Sequence, residues 1–77
     1  MESKLKLKNG ETLKTINHRS KGPLAEMDIY TYEIINQAGE VVGTVTYTDH
    51  TAIKGFIRTQ TVEQKDNAGK VIVDKTW

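Results

Sequence analysis

Alternation of residue types with a period of two, broken by a glycine-containing turn, most constrains how this chain can fold. Two such runs, residues 28–36 and 41–48, flank the four residues Gln37-Ala38-Gly39-Glu40. Period-two alternation is typical of strands, and a short glycine turn between two runs predicts a β-hairpin. One face of this hairpin would carry Tyr30, Tyr32, Ile34, Val45 and Tyr47.

The turn at residues 37–40 also predicts the register of the hairpin. The expected cross-strand neighbours are Asn36 with Val41, Ile34 with Gly43, Tyr32 with Val45, and Tyr30 with Tyr47. A slip of one residue would send the aromatic side chains to both faces, so burial of one face selects this register. A glycine opposite Ile34 indicates a bulge or a close backbone approach.

A second hairpin is predicted from residues 56–64 and 70–77, because the residues between them, Lys65-Asp66-Asn67-Ala68-Gly69, are rich in turn formers. The expected neighbours are Gln64 with Val71, Val62 with Val73, and Arg58 with Trp77. The last pair would place a guanidinium over an indole ring.

An N-terminal hairpin is predicted around Asn9-Gly10, a dipeptide that favours tight turns. A two-residue loop would place Leu13 beside Lys6, whereas a three-residue loop pairs it with Leu5, and we expect the second register. Residues 18–23 show no periodicity and are expected to form a surface loop. Residues 23–28 fit at most a short helical connector, and no internal repeat is evident.

Composition supports an all-β fold. The chain has ten threonines, and β-branched residues fit strands better than helices. We therefore expect one domain over residues 1–77, an antiparallel meander of five or six strands. Spread over five or six strands with no real helix, the large apolar side chains cannot cover both faces of an open sheet, and a chain of 8.7 kDa without disulfides is marginally stable. The sheet should form a small, partly closed barrel or pack on a second chain, and we expect a homodimer.

Charge is sorted along the sequence, although the net charge is only +1. Residues 1–23 contain six Lys or Arg and two Glu, residues 24–50 contain five acidic residues and no Lys or Arg, and residues 51–77 contain five basic and three acidic residues. Such sorting fits cross-strand pairing or a dipolar molecule that docks a charged partner.

Several classes of protein are disfavoured by the sequence. With no cysteine there is no disulfide scaffold, thiol nucleophile or cysteine metal site, and no apolar run approaches the length of a membrane span. The first residues lack the apolar core of a secretory signal. We expect a cytoplasmic domain that does not enter a membrane and has no cofactor.

Candidate catalytic and metal-binding residues are few. Asp49, His50 and Thr51 are adjacent, but neighbours on a strand point to opposite faces, so adjacency does not build a relay. The other histidine, His18, is 32 positions from His50, which is no metal-ligand spacing. We therefore expect neither an enzyme nor a metal protein.

The function predicted from these features is that of a protein-interaction or accessory module, which acts through a sheet edge or a threonine-rich face. That face would carry Thr31, Thr44, Thr46 and Thr48, with Thr59 and Thr61 as neighbours. The alternative is a small nucleic-acid-binding β-barrel that uses Lys54, Arg58, Lys75 and aromatic residues. The predicted binding residues are Tyr30, Tyr32, Tyr47, His50, Lys54, Arg58 and Trp77. Trp77 is expected to pack against Phe56, Arg58 or a second copy.

Overall fold

A computed structural model of the chain describes residues 2–22, 26–51 and 57–77. Within these ranges a 3₁₀ turn, Glu2–Lys4, precedes five strands: β1 (Thr12–Lys21), β2 (Met27–Ile35), β3 (Val41–Thr51), β4 (Arg58–Asp66) and β5 (Val71–Thr76). All neighbouring strands are antiparallel, in the spatial order β1-β2-β3-β4-β5. The predicted all-β meander is confirmed, and the sheet is open rather than closed into a barrel.

The first hairpin has the predicted register over most of its length. Ile34 pairs with Gly43, Tyr32 with Val45, and Tyr30 with Tyr47. At the turn end, Val41 pairs with Ile35 instead of Asn36, because Val42 is an extra residue in a bulge. A Cβ on Gly43 would lie 2.6 Å from the Lys65 carbonyl oxygen, so the glycine allows a close backbone approach beside the bulge.

The predicted register of the second hairpin is wrong by two residues. Gln64 pairs with Val73 and Val62 with Lys75. The expected pairs require a loop at residues 66–69, whereas Asp66 belongs to β4 and its amide donates to the Lys70 carbonyl, which shifts the register by one residue. Ile72 is an extra residue in a bulge and shifts it by one more.

The predicted pairing of Leu5 with Leu13 is also wrong. The turn at Asn9-Gly10 is present, and the Glu11 amide donates to the Lys8 carbonyl at 3.0 Å. Residues 2–8, which we call the N-terminal arm, are not a sheet strand and instead contact the buried residues of the sheet. The arm thereby removes apolar side chains from water, which pairing along the β1 edge would not do.

The N-terminal arm is held by the side chain of Gln64. The Lys6 amide donates to Gln64 Oε1, and Gln64 Nε2 donates to the Lys6 carbonyl, both at 2.8 Å. Gln64 is only 2% exposed, so its amide needs these partners. Leu5 and Leu7 of the arm pack against the core.

Residues 18–21 belong to β1, so the surface loop predicted for residues 18–23 is wrong over most of its length. The register of β1 against β2 shifts between Thr15 and Asn17, where Ile16 is an extra residue and is 52% exposed. Because this bulge reverses the phase of the alternation, the period-two pattern does not continue past Ile16, and the rest of β1 is not predicted from it. The predicted helical connector is wrong at Met27 and Asp28, which begin β2, and its residues 23–25 lie outside the described ranges.

The core of the described residues lies on one face of the sheet. It consists of Ile34, Val45, Val62 and Val73, and we call this side the aromatic face because Tyr30, Tyr32 and Tyr47 also lie on it. The opposite side, which we call the threonine face, carries Thr31, Thr44, Thr46, Thr48, Thr59 and Thr61. The radius of gyration, 13.7 Å, exceeds the value of about 11.5 Å typical of a compact chain of this length.

A Gln64→Met substitution should release the N-terminal arm. It conserves the volume of the side chain but leaves the Lys6 amide and carbonyl without these partners, so we expect a loss of about 1–3 kcal/mol in the free energy of unfolding. Urea denaturation measures the loss, and hydrogen exchange at the Lys6 amide should accelerate. Unchanged exchange at Lys6 would contradict the anchoring role. Gln60→Met, which removes the acceptor of the Tyr47 hydroxyl instead, is the control for exchange and should leave the Lys6 amide protected.

Candidate functional site

An aromatic row crosses the sheet on the aromatic face. His18 pairs with Tyr30, and Tyr30 pairs with Tyr47. Their ring centroids lie 4.3 Å apart for His18 and Tyr30, with an angle of 2°, and 5.7 Å apart for Tyr30 and Tyr47, with an angle of 27°. Trp77, directly after β5, completes the row with its ring 6.1 Å from that of Tyr47. Tyr32 stacks beside Tyr30 at 6.4 Å.

The rings of this row are turned towards one another. Nearly parallel rings at these separations are stacked with an offset, so the π faces of Tyr30 and Tyr47 contact neighbouring rings. At one end the His18 side chain is 46% exposed, and at the other the Lys4 ammonium lies 4.8 Å from the Trp77 ring centroid. The two central tyrosines therefore do not offer open faces on which nucleic-acid bases could stack.

Two carboxylates face each other next to the aromatic row. Asp28 and Asp49 are direct cross-strand neighbours, a pairing that is unfavourable unless each charge is compensated. Arg58 donates to both oxygens of Asp49, at 2.9 and 2.7 Å. Ser20 and His18 both contact Oδ1 of Asp28, at 2.8 and 3.1 Å. The charge of Asp28 is thus compensated by side chains of β1, and the charge of Asp49 by a side chain of β4.

These contacts change the acidity of both carboxyl groups. The hydrogen bonds from Ser20 and then from His18 hold the pKa of Asp28 below its ordinary value. The hydrogen bonds from Arg58 likewise lower the pKa of Asp49. On the neighbouring row, burial and the charge of Asp49 raise the pKa of Tyr47, whose hydroxyl donates to Gln60 Oε1 at 2.6 Å.

The arrangement around Asp28 is not a nucleophilic relay. In such a relay the hydroxyl contacts the imidazole and the imidazole contacts the carboxylate, whereas Ser20 and His18 share one oxygen of Asp28. Asp49, His50 and Thr51 form no relay either, because Asp49 lies on the aromatic face with Arg58 and His50 lies on the threonine face, where it pairs with Thr59. Among the described residues no group of three or more His, Cys, Asp or Glu side chains could hold a metal ion.

The threonine face continues across the three central strands. Thr31 pairs with Thr46, Thr48 pairs with Thr61, and Thr61 pairs with Thr76. No described element packs over this face, because the N-terminal arm lies on the opposite side. Its two margins differ in charge. Lys14, Arg19 and Lys21 lie on β1, whereas the β4–β5 margin carries Glu63 and Asp74 together with Lys65, whose ammonium lies 3.4 Å from Glu63.

A cavity of about 530 Å³ lies beside the turns at one end of the sheet. Its apolar wall includes Ile34, Val42 and Ile72, and its rim mixes charges of both signs: Lys6, Lys8, Glu11, Lys65 and Asp66. Because the rim has no dominant sign of charge, it does not select one class of charged ligand.

The structure brings together some of the predicted binding residues and separates others. Tyr30, Tyr47 and Trp77 share the aromatic row, and Tyr32 adjoins it. The predicted contact of Arg58 with Trp77 is wrong: Arg58 binds Asp49, and Lys4 is the cation over the indole. Lys54, and also Phe56, lie outside the described residues.

Sequence reasoning missed His18, Ser20 and Asp28 as members of the site. The bulge at Ile16 interrupts the alternation of β1, so His18 and Ser20 appeared to belong to a loop. Asp28 begins the predicted alternating run 28–36, but its partners His18 and Ser20 lie on the part of β1 that was not predicted. Alternation read separately on each side of Ile16 is the signal that identifies His18 and Ser20.

Comparisons with protein-family models, curated proteins and solved structures find nothing that matches this chain. Function must therefore be inferred from the residues themselves. Across the described ranges, the structure contains no helix with the length and apolar composition that a membrane crossing requires.

The two compensated carboxylates predict a loss of stability in acid. Since folding lowers the pKa of Asp28 and Asp49, their contribution to stability is complete above the unfolded pKa, near 4, and is lost as the pH falls through the folded values. The free energy of unfolding, measured by urea denaturation, should decrease from pH 6 to pH 3.

Asp49→Asn should reduce this pH dependence, because the variant has no carboxylate at that position. Glu40→Gln, in an exposed turn, is the control and should retain the wild-type dependence. An equal slope in Asp49→Asn and wild type would refute the role of the Arg58 contact.

Proposed function

We propose that this chain is a non-enzymatic protein-interaction module that works through its threonine face, and that a second copy of the chain is its partner. The observation that carries the proposal is the one-sided cover of the sheet. The N-terminal arm covers the core on the aromatic face, while the described residues leave the threonine face without a packed element. A broad sheet face without cover favours docking of another surface.

The charges on the threonine face favour a second copy as the partner. Its β1 margin is basic, and its β4–β5 margin has a small acidic excess, Glu63 and Asp74 against Lys65. A two-fold axis parallel to β3 would lay the basic margin of each protomer over the acidic margin of the other. Such self-complementarity is what a symmetric dimer requires.

The size of the face is also suitable. The two longer extents of the molecule are 45 and 20 Å, which gives a face comparable to the 800 Å² or so that each partner buries in a typical stable interface. Ile29 and Ile35 share the face with the threonines, so the contact would include apolar area. Threonine contributes a methyl group as well as a hydroxyl that can hydrogen-bond across the interface.

The alternative, a nucleic-acid-binding barrel, gains no comparable support. The sheet is open, Arg58 is bound to Asp49, and the central tyrosines stack on neighbouring rings. Asp28 and Asp49 lie beside these rings and would repel a phosphate backbone.

Thr46→Arg should prevent the proposed dimer, because Thr46 is exposed near the centre of the threonine face. Sedimentation equilibrium at several hundred micromolar should give twice 8.7 kDa for wild type and 8.7 kDa for the variant. Thr15→Arg places the same side chain on β1 opposite Tyr32, on the aromatic face, and should remain dimeric.

The proposed dimer should also weaken as salt is added, because its margins attract through exposed charges. A wild-type chain that sediments as a monomer at these concentrations would refute the proposal. Equal loss of dimer in Thr46→Arg and Thr15→Arg would exclude the threonine face as the interface.

A further inference from the structure

The β2–β3 and β4–β5 hairpins share one turn geometry and a weak sequence similarity, which was not evident as a repeat from the sequence alone. Residues 32–47 align with residues 62–77 at an offset of 30 without a gap. The identical pairs are Glu33 and Glu63, Ala38 and Ala68, Gly39 and Gly69, Val41 and Val71, and Thr46 and Thr76. Five identities in 16 positions are few, so the geometry of the turns decides the comparison.

The turns of the two hairpins have the same hydrogen bonds. Oδ1 of Asn36 accepts from the amides of Ala38 and Glu40, and Oδ1 of Asp66 accepts from those of Ala68 and Lys70, all at 2.9 Å. Gly39 and Gly69 have φ values of 82° and 84°, and each turn is followed by a bulge two residues later. The shared turn and bulge show that β3 and β5 are equivalent strands.

This equivalence has a consequence for the outer edge of β5. The far edge of β3 holds β4, whereas no described strand lies on the far edge of β5. Trp77 and Gln60 exchange both main-chain hydrogen bonds, at 3.0 and 2.9 Å, so the alternate residues Asp74 and Thr76 direct their amides and carbonyls outward. On β3, the Thr51 amide donates to the Glu26 carbonyl, on the β2 side. The alternate residues Thr44 and Thr46 therefore direct their amides and carbonyls towards β4, as Asp74 and Thr76 direct theirs outward.

The other terminal edge, on β1, is protected against pairing. It carries Lys14, Arg19 and Lys21, and the bulge at Ile16 interrupts it. Charged side chains and bulges are the usual means by which sheet edges avoid a further strand. β5 also has a bulge, at Ile72, and carries Asp74 and Lys75, but the segment from Val73 to Thr76 has no bulge, and Val71 and Ile72 are 45% and 40% exposed.

We propose that the outer edge of β5 accepts an extended peptide strand in antiparallel orientation, with a basic residue opposite Asp74 and an apolar residue opposite Trp77. On β3, the positions equivalent to Asp74 and Trp77 are Thr44 and Tyr47, and their partners on β4 are Lys65 and Val62. A lysine opposite Asp74 adds a charge pair that Thr44 does not have. This is strand addition to an open sheet edge.

A segment of another protein is the occupant that fits, rather than a second copy of this chain. Within the chain, the strands that pair with β3 are β2 and β4. In every copy both of these strands already have a neighbour on each edge, so neither can also pair with the β5 edge of another copy. The β5 edge borders the threonine face, and Asp74 belongs to both surfaces. Peptide binding is therefore also measured on Thr46→Arg, which should be monomeric and should still bind the peptide, so the two proposals fail separately.

The direct probe is a synthetic, end-capped peptide that copies residues 58–66 (RTQTVEQKD), added to the full chain. We expect a saturable change in the fluorescence of Trp77, the one tryptophan, and shifts of the Asp74 and Thr76 amide resonances without a shift at Lys14. Absence of saturable binding up to millimolar peptide would overturn the proposal.

Two N-methylated peptides form a matched pair. In the copy of β4, the residue equivalent to Glu63 would exchange hydrogen bonds with Thr76, while the residue equivalent to Gln64 would direct its amide away from β5. Methylation of the first nitrogen should weaken binding about tenfold, and methylation of the second should leave it within about twofold. Equal effects of the two methyl groups would show that the peptide does not add as a strand.

A charge exchange tests the orientation of the peptide. Asp74→Lys should weaken the parent peptide about fivefold, and replacement of the peptide lysine by glutamate should restore binding. No restoration would contradict the assigned register. If the Trp77 signal without peptide depended on protein concentration and the peptide competed with that change, a second copy would be the occupant and the proposal would be wrong.

Discussion

The fold depends on a side chain that acts as part of the main-chain hydrogen-bond network. A single sheet cannot bury an apolar face by itself, and in this chain the N-terminal arm supplies the cover. Residues 5–8 of the arm belong to no helix or strand, so their amide and carbonyl groups must find other partners where water is excluded. Gln64 provides both partners from within the core, at 2.8 Å each. Its position is equivalent to that of Ile34 in the first hairpin, so an apolar site of the unit has become a polar anchor.

The two faces of the sheet differ as a result. Beyond the arm, the rings from His18 to Trp77 on the aromatic face stack on one another, and each carboxylate accepts from a side-chain donor. Threonine on the opposite face favours the strand conformation without requiring burial, because its hydroxyl can remain hydrated. The described core and the stacked rings thus lie on one side of the sheet, and the other side and the β5 edge are the surfaces through which we propose that partners bind.

The sequence predicted those parts of the fold in which alternation runs unbroken from a turn. The first hairpin meets this condition between Ile34 and Tyr30, so its register and the common face of the three tyrosines are correct. Bulges set the limit elsewhere. Extra residues at Ile16 and Ile72 change the phase of β1 and β5, and a bulge has no distinctive composition by which a single sequence reveals it.

The N-terminal arm was misplaced for a different reason. Alternating Lys and Leu fits an edge strand and an extended segment that crosses a sheet equally well, and only the buried amide of Gln64 distinguishes them. Of the predicted binding residues, the tyrosines and Trp77 meet in one row, and Arg58 lies beside that row with a different partner. His50 lies on the other side of the sheet.

The extents of 45 × 20 × 19 Å have a practical consequence for solution studies. An elongated particle has a higher frictional coefficient than a sphere of the same mass, so it diffuses more slowly and leaves a gel-filtration column early. A monomer of 8.7 kDa with this shape would resemble a heavier globular standard. Its elution volume would therefore suggest a dimer even if the chain were a monomer. A method that measures mass independently of shape is needed to determine the number of protomers.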